Sequence, residues 1–124
     1  MRKHIRLLLP AALLLVAPML HAETVEGILM DKMCSAMVAE KGFGAAKMHT
    51  KECALMPNCV ASGYGVVTAE GKFLKFDASG DQKAAEALKA TSKKDNITVT
   101  VDGKVSGDTV AVKVSRSPNC RLRS

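Results

Sequence analysis

The chain of 124 residues contains no tryptophan, one tyrosine and three phenylalanines. So few rings argue against a stacking platform for single-stranded nucleic acid, which needs several exposed aromatics along a basic groove. Catalytic signatures are missing as well. There is no G-x-S-x-G turn, no H-E-x-x-H helix and no phosphate-binding glycine loop. The cysteines form no C-x-x-C pair and no alternating βαβ pattern surrounds them, which leaves thiol redox chemistry as the weakest of the readings below. No apolar run reaches the ~20 residues of a membrane span. An enzyme, a nucleic-acid partner and a stable membrane anchor are therefore not expected.

What is present begins with a leader. Arg2, Lys3, His4 and Arg6 form a basic patch ahead of Leu7–Ala17, an apolar run of the length found in secretory signals. Ala22 is a suitable last residue of a signal peptide, so residues 1–22 are expected to be removed before Glu23. No cysteine follows the apolar run closely, so no lipid-modified N-terminus is expected. Residues 23–124 then form one small domain, with a basic, polar tail at 116–124. Losing Arg2, Lys3 and Arg6 leaves 15 basic residues against 12 acidic ones, so much of the formal charge of +6 belongs to the leader. The expected location is periplasmic or secreted, an oxidising setting in which disulfides persist.

Five strands and one helix are legible. Residues 24–30 are β-branched and apolar, with Gly27 as a bulge or kink. Residues 64–69 and 72–77 flank Glu70-Gly71, where glycine allows the positive φ of a hairpin turn. Residues 79–91 read as a helix opened by a Ser79–Gln82 capping box, with Ala84, Ala85 and Leu88 on one stripe. The last two strands alternate clearly. Ile97, Val99 and Val101 face one way, as do Val110, Val112 and Val114. The favoured turn between them is Ser106-Gly107-Asp108, with Gly103 bending one long strand. Five strands with a helix between the third and fourth predict a mainly β, α+β fold, a small OB-like barrel. A Cys/Met-rich, irregular or helical insertion follows the first strand.

The segments "EGILMDKMC", "HTKECALMPNCVASGYGVVTAEGKFLKFD" and "VTVDGKVSGDTVAVKVS" resemble a group of small secreted bacterial OB-like proteins to which no activity is attached. The resemblance covers about residues 24–115. It implies the fold and the exported setting, and makes Cys34, His49, Cys53 and Cys59 the characteristic set. Cys120 lies outside that pattern.

The insertion holds Met30, Met33, Met37, Met48 and Met56, together with His49 and three of the four cysteines. Asp31 can cap a helical turn that places Met33 and Met37 on one face. A helix through 46–56 puts His49 and Cys53 on a shared face. Alternatively, Thr50 caps a shorter helix from Lys51 and leaves His49 outside it.

The leading functional expectation is an exported, non-enzymatic OB-like binding or interaction module. Its partner is an unidentified protein or small ligand, and no cofactor is required. A disulfide among Cys34, Cys53, Cys59 and Cys120 would pin the insertion and contribute about 2–4 kcal/mol. In that reading the methionines are flexible packing and His49 is a surface or cap residue. The alternative is a periplasmic soft-metal binding or handling protein. Cys34, His49, Cys53 and Cys59 then supply a Cys₃His set for copper(I) or zinc, with Met33, Met37, Met48 and Met56 as thioether ligands for copper. The C-x18-C-x5-C spacing is not that of the paired zinc modules.

Overall fold

The computed structural model describes residues 21–113. The leader through residue 20, the tail at 116–124 and Cys120 lie outside the described residues. So does Val114, the end of the expected last strand.

Five strands close a barrel in the order β1-β2-β3-β5-β4. They are β1 (His21–Asp31), β2 (Tyr64–Val67), β3 (Phe73–Phe76), β4 (Thr98–Ser106) and β5 (Thr109–Val112). All neighbours are antiparallel except β3 and β5, which run parallel. This is the expected small OB-like barrel. The insertion between β1 and β2 is four short helices: α1 (Lys32–Lys41), α2 (Phe43–Lys47), α3 (Lys51–Ala54) and α4 (Pro57–Ser62). The helix between the third and fourth strands is α5 (Ala78–Ala90).

The turns follow the sequence. Gly71 takes φ +82° in the β2–β3 hairpin, where the Gly71 amide donates to the Thr68 carbonyl at 2.8 Å. Strand β4 runs unbroken through Gly103, and Gly107 sits in the turn into β5 at φ +58°. The α5 cap differs from expectation. Asp77, not Ser79, is the N-cap, and its side chain accepts from the Gly80 amide at 2.9 Å. An aspartate placed right at the end of β3 reaches that amide, and Ser79 becomes part of the first turn. Ala84, Ala87 and Leu88 of α5 are buried against the barrel.

The barrel interior is filled by Val25, Leu29, Tyr64, Val66, Leu74, Phe76, Val99, Val101 and Val110. A second apolar cluster lies on the other face of β1 and β2. There Ile28, Met30 and Val67 pack with Val38 of α1 and Ala46 of α2, and Cys34, Phe43 and Phe73 join its edge. Successive strand residues point to opposite faces. Both faces of β1 and β2 are therefore covered, which accounts for the unbroken apolar run "GILM" and for a fully buried β2.

Strand β1 pairs with β4 through Ile28 and with β2 from Ile28 onward. Gly27 stands at this change of partner. A Cβ there would lie 2.2 Å from the Val67 carbonyl oxygen. Gly27→Ala should therefore lower stability by about 1–3 kcal/mol, the usual effect of forcing atoms into a packed site. Gly44 in α2 faces open space, and Gly44→Ala should be neutral or stabilising by up to about 1 kcal/mol. Urea denaturation of the two variants checks the contrast, and equal midpoints would contradict it.

Candidate metal centre

Each cysteine of the insertion is the third residue of a short helix. Cys34 follows Lys32 and Met33 in α1, Cys53 follows Lys51 and Glu52 in α3, and Cys59 follows Pro57 and Asn58 in α4. Two of the helices are capped onto the cysteine itself. Asp31 accepts from the Cys34 amide at 2.8 Å, and Thr50 Oγ1 accepts from the Cys53 amide at 3.1 Å. Pro57 opens α4, where its fixed φ and missing N–H suit the first helical position. Capping thus fixes the backbone that carries the Cys34 and Cys53 thiols, and Pro57 starts the turn that carries Cys59.

Main-chain bonds tie the short helices to one another and to the link between α5 and β4. The Lys32 amide donates to the Gly63 carbonyl, and the Lys51 amide donates to the Lys94 carbonyl. The Tyr64 hydroxyl donates to the Ala54 carbonyl at 2.7 Å from within the barrel core. Burial, with Asp31, Cys59 and Asp81 nearby, pushes that hydroxyl's pKa up, so it remains a donor. Ser62 Oγ accepts from the Met33 amide at 3.2 Å and donates to the Cys59 carbonyl, joining α1 to α4.

The result is a convergence of three sulfurs. The Sγ atoms of Cys34, Cys53 and Cys59 all lie within 4.8 Å of one another, and those of Cys34 and Cys53 are 3.9 Å apart. Cys59 is buried, and Cys34 and Cys53 are half-buried. The expected disulfide is not formed among the described residues, where all three stand as thiols. An S–S bond is about 2.05 Å long, so 3.9 Å is contact and not bonding.

Beside the sulfurs lies a dyad. Asp31 is fully buried and His49 is 7 % exposed, and His49 Nε2 sits 2.7 Å from Asp31 Oδ1. His49 is therefore neither a surface residue nor a cap. Thr50 caps the short α3, so the shared face of His49 and Cys53 is lost. His49 instead approaches from the link between α2 and α3. Asp31, Cys34 and His49 form a second group whose potential ligand atoms lie within 4.8 Å of one another. Sequence reasoning gave Asp31 a capping role and missed its place in the site. A signal was available: Asp31-x-x-Cys34 and Thr50-x-x-Cys53 both put a capping side chain three residues before a cysteine.

The electrostatics follow from burial. Burial pushes the Asp31 pKa up, and the bonds from His49 and the Cys34 amide more than reverse it, so the carboxyl titrates below its usual range. Burial and the Asp31 charge push the Cys34 and Cys59 thiols up, reinforced by hydrogen bonding to that carboxylate. Helix N-termini commonly lower a cysteine pKa. These helices are short, and desolvation with a neighbouring anion prevails. Cys34 and Cys59 are accordingly protonated at neutral pH in the ion-free protein, which disfavours either as a reactive nucleophile.

The methionines divide. Met30 is fully buried and fulfils the packing expectation, whereas Met33, Met37, Met48 and Met56 are exposed. A separate open pocket of about 410 Å³, lined by Glu26, Gly27, Ile28, Phe43, Lys47 and Thr98 among others, contains none of the predicted site residues. Among the described residues no helix is long and apolar enough to cross a membrane. Comparison with protein families, curated proteins and solved structures finds no match to this chain.

A carboxylate whose pKa is lowered in the folded state adds stability above its unfolded pKa of about 3.9 and loses it as pH falls through the folded value. Acidification below about pH 4 should therefore destabilise the protein, and Asp31→Asn should lack part of that loss. Asp31→Ala removes a cap and leaves the His49 N–H facing no acceptor, so it should cost at least about 2 kcal/mol near neutral pH. Urea denaturation in reductant, repeated across pH, measures both. A cost under about 0.5 kcal/mol, the range of ordinary surface changes, would contradict this placement of Asp31.

Proposed function

We propose that the chain is an exported soft-metal binding protein that holds one copper(I) or zinc ion through Cys34, Cys53 and Cys59. The convergence of three thiols from three separate helices carries this reading. The spacing supports it. With a metal–sulfur bond of about 2.3 Å, two sulfurs 3.9 Å apart subtend roughly 115° at the ion, between the tetrahedral and trigonal angles. Asp31 and His49 act beside the sulfurs as a supporting pair, of the kind that fixes ligand orientation in metal sites. The leader and the resemblance to small secreted bacterial proteins support an exported location. Nothing in the reading requires catalysis.

A second reading keeps the disulfide-pinned binding module. The same 3.9 Å approach of Cys34 and Cys53 favours it, because closing that gap needs only a small movement. The two readings compete for the same sulfurs. A bonded pair would leave Cys59 as the one remaining thiol of the trio.

Anaerobic titration of reduced protein against metal chelators separates them. One ion per chain should bind. His49→Ala should weaken binding roughly 10–100-fold, as loss of a supporting group does, and serine at Cys34, Cys53 or Cys59 should weaken it further. Metal must displace the thiol protons. Since the Cys34 and Cys59 pKa values are raised, apparent affinity should climb with pH throughout the neutral range and fall on acidification. Unchanged affinity in both His49→Ala and Cys53→Ser would show that this cluster is not the site.

A further inference from the structure

Large apolar side chains at the surface are not scattered over this protein. Among the described residues, those well exposed are Met33, Met37, Met48, Met56 and Val60, and all fall in the helical insertion. Four of the five are methionine, the one apolar side chain that is also a soft ligand. Met33 is 54 % exposed and immediately precedes Cys34, while Met37 is three residues beyond Cys34 along α1. Residues three and four apart on a helix are neighbours, about 5–6 Å between Cβ atoms. Met56, also 54 % exposed, is the N-cap of α4 and lies midway between Cys53 and Cys59 in the chain. Helices α1 and α4 pack together and are linked through the Met33 amide and Ser62. Each thiol of the trio thus has a solvent-facing thioether within three residues of it.

Packing does not account for this arrangement. Met30 shows what a packed methionine of this chain looks like, with no exposure at all. Nor does helix propensity, because Lys, Glu or Gln would serve an exposed helical position equally well.

The polar neighbours bear on which ion is held. A structural zinc site wants a fourth protein ligand. The candidates are Asp31 and His49: both oxygens of Asp31 already accept hydrogen bonds, and among the described residues the His49 ring is engaged through Nε2 alone. Asp31 Oδ1 meets His49 Nε2, and Asp31 Oδ2 accepts from the Cys34 amide. The three sulfurs are the donors that converge from separate helices, and such a set suits a soft monovalent ion. A thioether is neutral and soft, so it binds copper(I) and hardly binds zinc.

We propose that the ion is copper(I), held by Cys34, Cys53 and Cys59, and that Met33, Met37 and Met56 form an outer thioether rim over which it arrives and leaves. This rests on the metal-binding reading above. The transfer is a ligand exchange. Bonds from the ion to its donor break as bonds to sulfur form, thiol protons pass to solvent, and copper stays in the +1 state. The rim sets the rate of exchange and the trio sets the affinity.

The test offers Cu(I) bound to bicinchoninate, a coloured chelator, to the reduced full-length chain under anaerobic conditions. Wild type is compared with the triple variant Met33→Leu, Met37→Leu, Met56→Leu. Leucine has nearly the volume of methionine and no sulfur, so the fold should persist, and thermal unfolding checks this. Copper should reach the triple variant roughly tenfold more slowly or worse, within the one to three decades by which association rates vary among variants of one interface. Its final affinity should stay close to that of wild type. X-ray absorption should show sulfur neighbours only, and copper should displace zinc in competition. Equal uptake rates would overturn the rim. Displacement of copper by zinc, or nitrogen and oxygen neighbours at the ion, would overturn the choice of copper. In either case serine at the three cysteines would still abolish binding, leaving the metal-binding reading intact. If neither ion binds wild type, both proposals fail together.

Discussion

A carboxylate with no contact to water must have its lone pairs met by donors, or it takes up a proton. Asp31 meets this condition with two partners of different kinds. One is the amide of Cys34, in the first turn of helix α1, and the other is the ring of His49, which arrives from beyond α2. The residue sits at the last rung of β1, opposite Tyr64 of β2. It is thus the point where the barrel ends, the insertion begins and the far side of the insertion is drawn back. The path from Lys32 to His49 is closed into a loop by this one side chain. The orientation of Cys34 and its distance from Cys53 depend on that closure, and the Asp31 charge raises the proton affinity of Cys34 and Cys59.

The barrel was largely legible in the sequence because its signals are local. Alternating Ile97, Val99 and Val101, glycine at 71 and 107, and the Ala/Leu stripe of α5 each depend on residues close in the chain. The cap of α5 is not legible from local sequence because two acceptors, Asp77 and Ser79, compete within one turn, and the end of β3 decides between them. The insertion was legible in part. Asp31 and Thr50 were readable as caps. Convergence of three helix starts on one point was not, since no periodicity encodes the crossing of short helices. The burial of His49 was hidden for the same reason, as its partner lies 18 positions away. The methionine run looked uniform in sequence, and only packing separates Met30 from the four at the surface.

The same geometry explains why disulfide and metal readings cannot both be complete. Three thiols within 4.8 Å form a set that an ion can share, whereas a disulfide uses two and leaves one. Burial and the Asp31 charge keep Cys34 and Cys59 protonated until something positive replaces the protons. A bound cation offsets the thiolate charges and relieves their repulsion from the carboxylate. A disulfide removes those charges by another route. Chemistry in the protein's own compartment decides which route is taken, since both begin from the same arrangement of helices.

The most direct measurement is therefore a paired count on one sample. Protein is purified from the compartment in which it folds, without reductant or chelator, and its metal content and free thiols are determined together. Close to one copper or zinc ion per chain is expected, with Cys34, Cys53 and Cys59 all recovered as thiols once the ion is removed. Metal-free protein with two of those three cysteines joined would contradict it.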